Sequence, residues 1–295
     1  MTHRGSYSAA SAAGQDRATA GQGQAGSGLG RLATSSSIRR QRRVWSGRAA
    51  SWDQHGSAGL GRVTAAVLAA ASPSLREQVV DLGCGTGQLS LPLAESGAEV
   101  LAVDVSSAMV EQLREEARRR GLSYLDAAAV PIERLRLPDR SVDLIVSSYA
   151  LHHLRDGDKA RLVATAFRWL RPGGRLVIAD MMFGRGAARS DRKIIAAKVR
   201  VLAGKGPGGW WRIAKNAVRY LLRLQERPVT MAAWTAMLSR AGFDGVTGNS
   251  IAAEAGLVTG RRPLPSGPSP EPAAGRQPDR SELAGTSAGG AAAGR

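Results

Sequence analysis

The sequence predicts an α/β fold built on a doubly wound, mostly parallel sheet, and three observations predict it. The first is the stretch Val79 to Gly87, V-V-D-L-G-C-G-T-G, in which a short apolar run ends in an acid and three alternating glycines. A helix-compatible run, Gln88 to Ser96, follows. Strand, tight turn and helix in that order make the corner of an α/β sheet where a nucleotide-like ligand docks. The second is alternation: apolar runs near 78–82, 98–103, 122–126, 141–147 and 174–180 are separated by helical stretches, as in repeated βαβ units. The third is a late pair of runs, 243–248 and 254–261, which completes a seven-stranded sheet.

The helices follow the same logic. Leu60 to Ala71 precedes the first strand, and helices follow the first and second strands. Another lies near 155–170, and Met231 to Ala241 is the last. Leu170 to Asp180 reads as a helix end, a Pro-Gly-Gly turn and the fifth strand.

Composition sets the limits of the folded part. Residues 1–43 are Ala, Gly, Ser, Gln and Arg with hardly a large apolar side chain, and 263–295 are Pro, Gly, Ala and Ser. Neither stretch buries enough apolar surface to offset its ordering entropy, so both are expected to be disordered tails. One domain is expected over 44–262, carrying a helical cap insertion at 185–227. The net charge of +17 is unevenly placed. Residues 1–43 hold seven Arg and one Asp, 44–184 hold 16 basic and 16 acidic residues, and 185–227 hold 12 basic and two acidic. The basicity therefore belongs to a tail and an insertion, and it does not make nucleic acid the expected partner. No apolar run reaches the length of a membrane span and no apolar signal core opens the chain. The single cysteine, Cys84, forbids an internal disulfide, so a cytoplasmic setting is expected.

The glycine spacing separates two kinds of nucleoside site. A dinucleotide fingerprint reads G-x-G-x-x-G, whereas this chain has G-x-G-x-G with Gln88 in the last place. Glu99 to Val103 is a second strand ending at Asp104, about 20 residues after the glycines, where an acid accepts hydrogen bonds from ribose hydroxyls. That position fits adenosine in either class of cofactor. A nicotinamide-dependent oxidoreductase loses further ground because Tyr149 is followed at the Tyr-x-x-x-Lys spacing by His153.

In these features the chain resembles the class I S-adenosylmethionine-dependent methyltransferases, whose first motif [DE]-x-G-x-G-x-G is filled by Asp81, Gly83, Gly85 and Gly87. The resemblance spans roughly 45–263 and is nearest to the small-molecule branch that includes the ubiquinone and menaquinone biosynthesis methyltransferases. It implies a Rossmann-like seven-stranded sheet with one antiparallel strand, and S-adenosylmethionine as cofactor. It assigns cofactor contact to Asp81, Gly83, Cys84, Gly85, Gly87 and Asp104. Val105 and Met109 would pack on the adenine face, and Asp126 would close the third strand and meet the adenine amino group. Ala127 and Ser147 complete the set. It also implies a cap at 185–227 that shapes the substrate pocket, and Arg48 to Gln54 resembles a segment that folds over the cofactor, where Trp45 and Trp52 either cover the site or belong to a helix packed on the sheet edge.

The cap reads as helices near 190–203 and 210–226 around Gly-Pro-Gly-Gly. In the second, Arg212, Lys215, Arg219 and Arg223 share one face and Trp210, Ile213, Ala217, Leu221 and Leu224 share another. A basic amphipathic helix can be a solvated cap helix, lie on anionic membrane or meet an anionic substrate.

A sulfonium methyl is already activated, so the protein has to align a nucleophile and exclude water. No metal is expected. A base helps where the nucleophile is a phenol or an enolisable carbon. His152 and His153, just past the fourth strand, are the candidate general bases, with Ser148 and Tyr149 as pocket residues. S-S-Y-A stands where amino-methylating enzymes carry N-P-P-[YF], so that chemistry is disfavoured. The expected enzyme is a methyltransferase acting on an O or C atom of a small apolar or aromatic acceptor. The alternatives are an RNA methyltransferase using the basic insertion and a lipid or quinone methyltransferase at a membrane surface. Oligomeric state is not legible.

Overall fold

The computed structural model describes residues 58–184, 227–252 and 254–265, with isolated positions at 38, 39, 42, 43, 46, 47, 192, 196, 199 and 200. Both tails beyond these positions, Trp45 and Trp52, most of the expected helix near 190–203 and all of the one at 210–226 with its basic face lie outside the described residues.

The chain runs α1 (Ala58–Ala71), β1 (Gln78–Leu82), α2 (Ser90–Glu95), β2 (Glu99–Asp104), α3 (Ser107–Arg119), β3 (Leu125–Ala129), β4 (Val142–Ser148), α4 (Asp156–Trp169), β5 (Leu170–Met181), α5 (Met231–Ala241), β6 (Asp244–Ser250) and β7 (Ala255–Arg261). Short 3-10 turns at Ile132–Arg134 and Leu151–His153 flank β4. The sheet order is β3-β2-β1-β4-β5-β7-β6, with β7 antiparallel to both neighbours and the other pairs parallel. This is the expected Rossmann-like sheet. The order reverses between β1 and β4, which places a crevice at their carboxyl ends.

Alternation along the strands builds two core layers. Val79, Leu144, Val146 and Val177 pack against Val63 and Val67 of α1. Val80, Leu82, Ile145 and Ile178 face the other way, toward Leu162 and Val163 of α4 and Trp234 and Leu238 of α5. Trp234 is 1 % exposed and is the largest fully buried side chain. Ser106 caps α3 by accepting from the Met109 N–H, and Thr230 caps α5 by accepting from the Ala233 N–H. At the far end of α4, Arg262 Nη1 donates to the Phe167, Arg168 and Leu170 carbonyls at 2.8, 3.0 and 2.6 Å. A cation there satisfies carbonyls that the helix leaves open.

Two elements differ from the sequence reading. The third strand is 125–129, not 122–126, because residues 121–124 finish α3. Gly121 takes φ +68°, its N–H donates to the Arg118 carbonyl, and the Leu122 N–H reaches back to the Ala117 carbonyl. That is a glycine helix stop, and it consumes the apolar residue that looks like the start of a strand. The Pro-Gly-Gly segment is likewise not a turn before β5 but an excursion within it. Val142 pairs with Leu170 and Leu144 with Arg175. The extra residues lean on the end of β7: the Gly173 N–H donates to the Arg262 carbonyl, and the Arg262 N–H to that of Gly174.

Candidate active site

A single cleft at the carboxyl ends of β1, β2 and β4 collects most of the expected residues. It holds about 880 Å³ of empty space, part of it open to solvent. One wall is Asp81, Gly83, Cys84, Gly85, Asp104, Val105 and Met109. The other is Ile132, Glu133, Ser148, Tyr149, Ala150, His153 and Leu154, with Leu60 from α1 at the rim.

The glycine loop is tied to the end of β2. The Gly83 and Cys84 N–H groups donate to the Val103 carbonyl at 2.7 and 3.0 Å, and the Gly85 N–H donates to Asp104 Oδ2 at 3.0 Å. Asp104 Oδ1 accepts from the Ser106 N–H at 2.8 Å. Asp104 is thus held by two backbone donors while burial pushes its carboxyl above the usual range. The glycines serve different ends. Gly83 sits at φ +80°, and a Cβ there would lie 2.2 Å from the Ala150 Cβ. Gly87 packs where a Cβ would meet Leu113 Cδ1 at 2.3 Å, and it does not line the cleft. Gly83→Ala forces the cleft-lining Ala150 aside and adds left-handed strain. It is expected to cost about 2–4 kcal/mol and to lower the melting temperature accordingly.

Asp81, 1 % exposed, is reached by Ser90 Oγ at 2.6 Å. Burial, aided by nearby Asp104, pushes its carboxyl up to about 7, and the Ser90 hydrogen bond works against that rise. The folded protein therefore keeps this proton to about pH 7, whereas the unfolded chain releases it near 3.8, the ordinary value for an aspartate. The sign is that this group subtracts stability progressively as pH rises through that window, by about 4 kcal/mol at most. Asp81→Asn is expected to flatten that fall in a melting series from pH 5 to 8. An unchanged slope would contradict it. Burial and the two acids also raise the Cys84 thiol well above its usual value, so it stays protonated.

The two histidines part company. His153 lines the cleft. His152 is turned into the core at 6 % exposure, its Nδ1 2.5 Å from Asp180 Oδ1, while its N–H donates to Asp180 Oδ2 at 2.7 Å. Asp180, at the end of β5 and 1 % exposed, therefore anchors the loop that carries both rings. Because His152 is committed to this anchor, it is withdrawn as a base. Tyr149, between them and β4, has φ +50°, an uncommon setting for an aromatic residue and one that clusters at functional sites. Its hydroxyl is pushed up to about 12 by burial and by Glu254 and Asp180, so it is a hydrogen-bond donor rather than a base.

Two other expectations are corrected. Asp126 does not close β3: it pairs in register with Leu101, whereas Asp104 pairs with Ala129. Three residues along a strand are about 10 Å, so Asp126 and Ala127 fall short of the cleft. The acid on that side is Glu133, whose carboxyl burial pushes up. Ser147 is a strand staple, its hydroxyl donating to the Leu82 carbonyl at 2.7 Å. At the opposite end of β4, Asp143 holds Arg171 at 2.5 Å and accepts from the Gln78 N–H at 3.0 Å.

The chain also carries a clamp that the sequence did not reveal. Lys159 is fully buried, and its Nζ donates to the carbonyls of Leu154 at 2.8 Å and Arg227 at 2.6 Å. The Arg227 N–H donates to the His152 carbonyl at 2.7 Å. The chain returning at residue 227 is thereby held against the loop that bears His153. Among the described residues, no group of three or more His, Cys, Asp or Glu is placed to hold a metal, and no helix is long and apolar enough to cross a membrane.

This geometry agrees with the comparisons. Residues 79–174 match the model of a methyltransferase domain family. The ubiquinone/menaquinone biosynthesis C-methyltransferase of Serratia proteamaculans is 32% identical over 186 residues, covering 58% of this chain and 68% of that protein. An uncharacterised methyltransferase of Oceanobacillus iheyensis is 33% identical over 125 residues, 42% of this chain and 55% of that one. The chain spans about half the length of several of the curated relatives it matches. Among solved structures, the methyltransferase bound to the Trm112 activator of Haloferax volcanii superposes with a TM-score of 0.57 at 17% identity, over 78% of this chain and 99% of that one. At that identity the likeness speaks for the fold alone. The chain belongs to the class I S-adenosylmethionine-dependent methyltransferases.

Proposed function

We propose that this chain moves a methyl group from S-adenosylmethionine to an O or C atom of a small apolar or aromatic acceptor. The observation that carries the reading is one cleft with two unlike walls. The first wall fits the cofactor by its donor set: Asp104 for the ribose hydroxyls, Val105 and Met109 for the adenine face, and Gly83 and Gly85 lining the cleft with bare backbone. From the other wall, Glu133 takes the place first given to Asp126 as the acid on the adenine side. When bound, the cofactor supplies a methyl group activated by a positive sulfur.

The second wall supports the acceptor class. Leu60, Ile132, Ala150 and Leu154 offer apolar contact, and no lysine or arginine is among the described residues that line the cleft. Ser148 Oγ is buried with no hydrogen-bond partner, and the protonated Tyr149 hydroxyl can orient an acceptor oxygen. In this reading His153, which lines the cleft, takes the acceptor's proton.

The test is calorimetric binding of S-adenosylmethionine to the full chain, followed by transfer of a labelled methyl group. The acceptors are a phenol and quinol panel, a short structured RNA, and anionic phospholipid vesicles. Label on phenols or quinols is the expected result. Label on RNA or phospholipid alone overturns the acceptor class, and no binding overturns the cofactor assignment.

A further inference from the structure

The cleft meets its ligand with acids and with no fixed positive charge among the described residues that line it. Asp81 is the extreme case, a carboxyl group 1 % exposed with a single side-chain donor, Ser90 Oγ at 2.6 Å. The groups around it are few. Asp104 on β2 is a second acid, Cys84 in the loop is a protonated thiol, and Ser90 on α2 offers its hydroxyl and its backbone N–H. Asp81 pairs in register with Ala102 on β2 and Val146 on β4, both uncharged. Around the same cleft stand Glu133, Tyr149 and His153. A carboxylate in such a place is costly as an anion until a cation arrives, and a neutral acid is the cheaper state before that.

We propose that Asp81 is a specificity-determining residue that gives up its proton as a cationic ligand enters, so that the cleft favours the sulfonium cofactor over the zwitterionic thioether left after methyl loss. The proposal rests on the reading of this cleft as an S-adenosylmethionine site. The proton balance is simple. One proton leaves Asp81 for solvent when the sulfonium, of net charge +1, binds. Methyl transfer lowers the ligand's formal charge by one, and Asp81 takes a proton back from solvent. The electrostatic reward for holding the ligand then disappears, which favours product release.

Protons released on binding can be counted directly, without an acceptor. The experiment is titration calorimetry of the full chain with S-adenosylmethionine and with S-adenosylhomocysteine, in two buffers of unlike ionisation enthalpy, from about pH 5.5 to 8.5. Binding of the sulfonium is expected to release close to one proton below about pH 7 and to tighten several-fold between about pH 6 and 7.5. The thioether is expected to release less than half as much. In Asp81→Asn the release disappears and the preference between the two ligands narrows. Should that variant fail to fold, Ser90→Ala serves, because loss of the hydroxyl moves the pH midpoint upward. Equal release with both ligands overturns the proposal. So does release that persists in Asp81→Asn, which points to His153 instead. Failure of both ligands to bind overturns the cofactor assignment itself, and binding with no proton release overturns only the role of Asp81.

Discussion

Replacing Asp104 with Ala is expected to weaken S-adenosylmethionine binding by about 100- to 1,000-fold while leaving the fold intact. The side chain does two jobs. It receives the Gly85 N–H at 3.0 Å and the Ser106 N–H at 2.8 Å, so it fixes the glycine loop and the cap of α3 relative to each other. It also has lone pairs left for ribose hydroxyls. Hydrogen bonds to a charged group are each worth about 1.5–3 kcal/mol, and two of them account for the expected loss. Stability is expected to fall modestly, because two backbone donors lose their acceptor, at about 1–3 kcal/mol each if stranded, while removal of a desolvated charge offsets part of that cost. The same charge helps raise the Asp81 carboxyl, so the alanine variant should bring Asp81 back toward its ordinary range. Asp104→Asn keeps one acceptor and should lose less, about tenfold. Calorimetry with both variants checks the order. Equal binding by wild type and Asp104→Ala would sink the assignment of this wall to the nucleoside.

The sequence was informative where chemistry and geometry coincide within a few residues. Asp81 to Gly87 is one strand end and one turn, so spacing alone placed it. Asp104 was legible because it ends an apolar strand of ordinary length. Asp126 was misplaced because strand register is a property of two strands, and the glycine stop at 121 shifts β3 by three residues. A helix terminus at Gly121 and Leu122 starts β3 at Leu125, and the next acid beyond that strand is Glu133. The difference between His152 and His153 was not legible at all. Adjacent residues look alike in sequence, and what separates them is Asp180 on β5, 28 positions from His152 along the chain. Ser147 was assigned to the ligand by resemblance, yet its hydroxyl is spent on the Leu82 carbonyl of the neighbouring strand. In each case the missing information was a contact between elements far apart in the chain.

Lys159 is the strongest case of such a contact, and removing its charge is expected to have the largest effect on stability. A lysine in the first half of an acidic-capped helix, D-G-D-K, looks like a solvated surface residue. Instead its side chain has no exposure, and its ammonium bridges Leu154, Arg227 and, at 3.2 Å, Asp156. Burying an ammonium is tolerated only because acceptors surround it. Lys159→Met keeps most of the volume but withdraws the donor from two backbone carbonyls, each worth about 1–3 kcal/mol when stranded away from water. A loss of about 3–5 kcal/mol is expected, comparable with breaking a buried ion pair by removing one partner. For a domain of this size that corresponds to a fall in Tm of about 6–20 °C. The damage should be uneven. The carbonyls of Leu154 and Arg227 belong to the wall that carries His153, whereas Asp104 and the glycine loop are held through Val103, Ser106 and one another. S-adenosylmethionine affinity is therefore expected to stay within a few-fold of wild type below the melting transition, while methyl transfer falls. A Tm unchanged by Lys159→Met would mean that the clamp carries no weight. A cofactor affinity that collapses with the Tm would mean that the two walls fold as one unit.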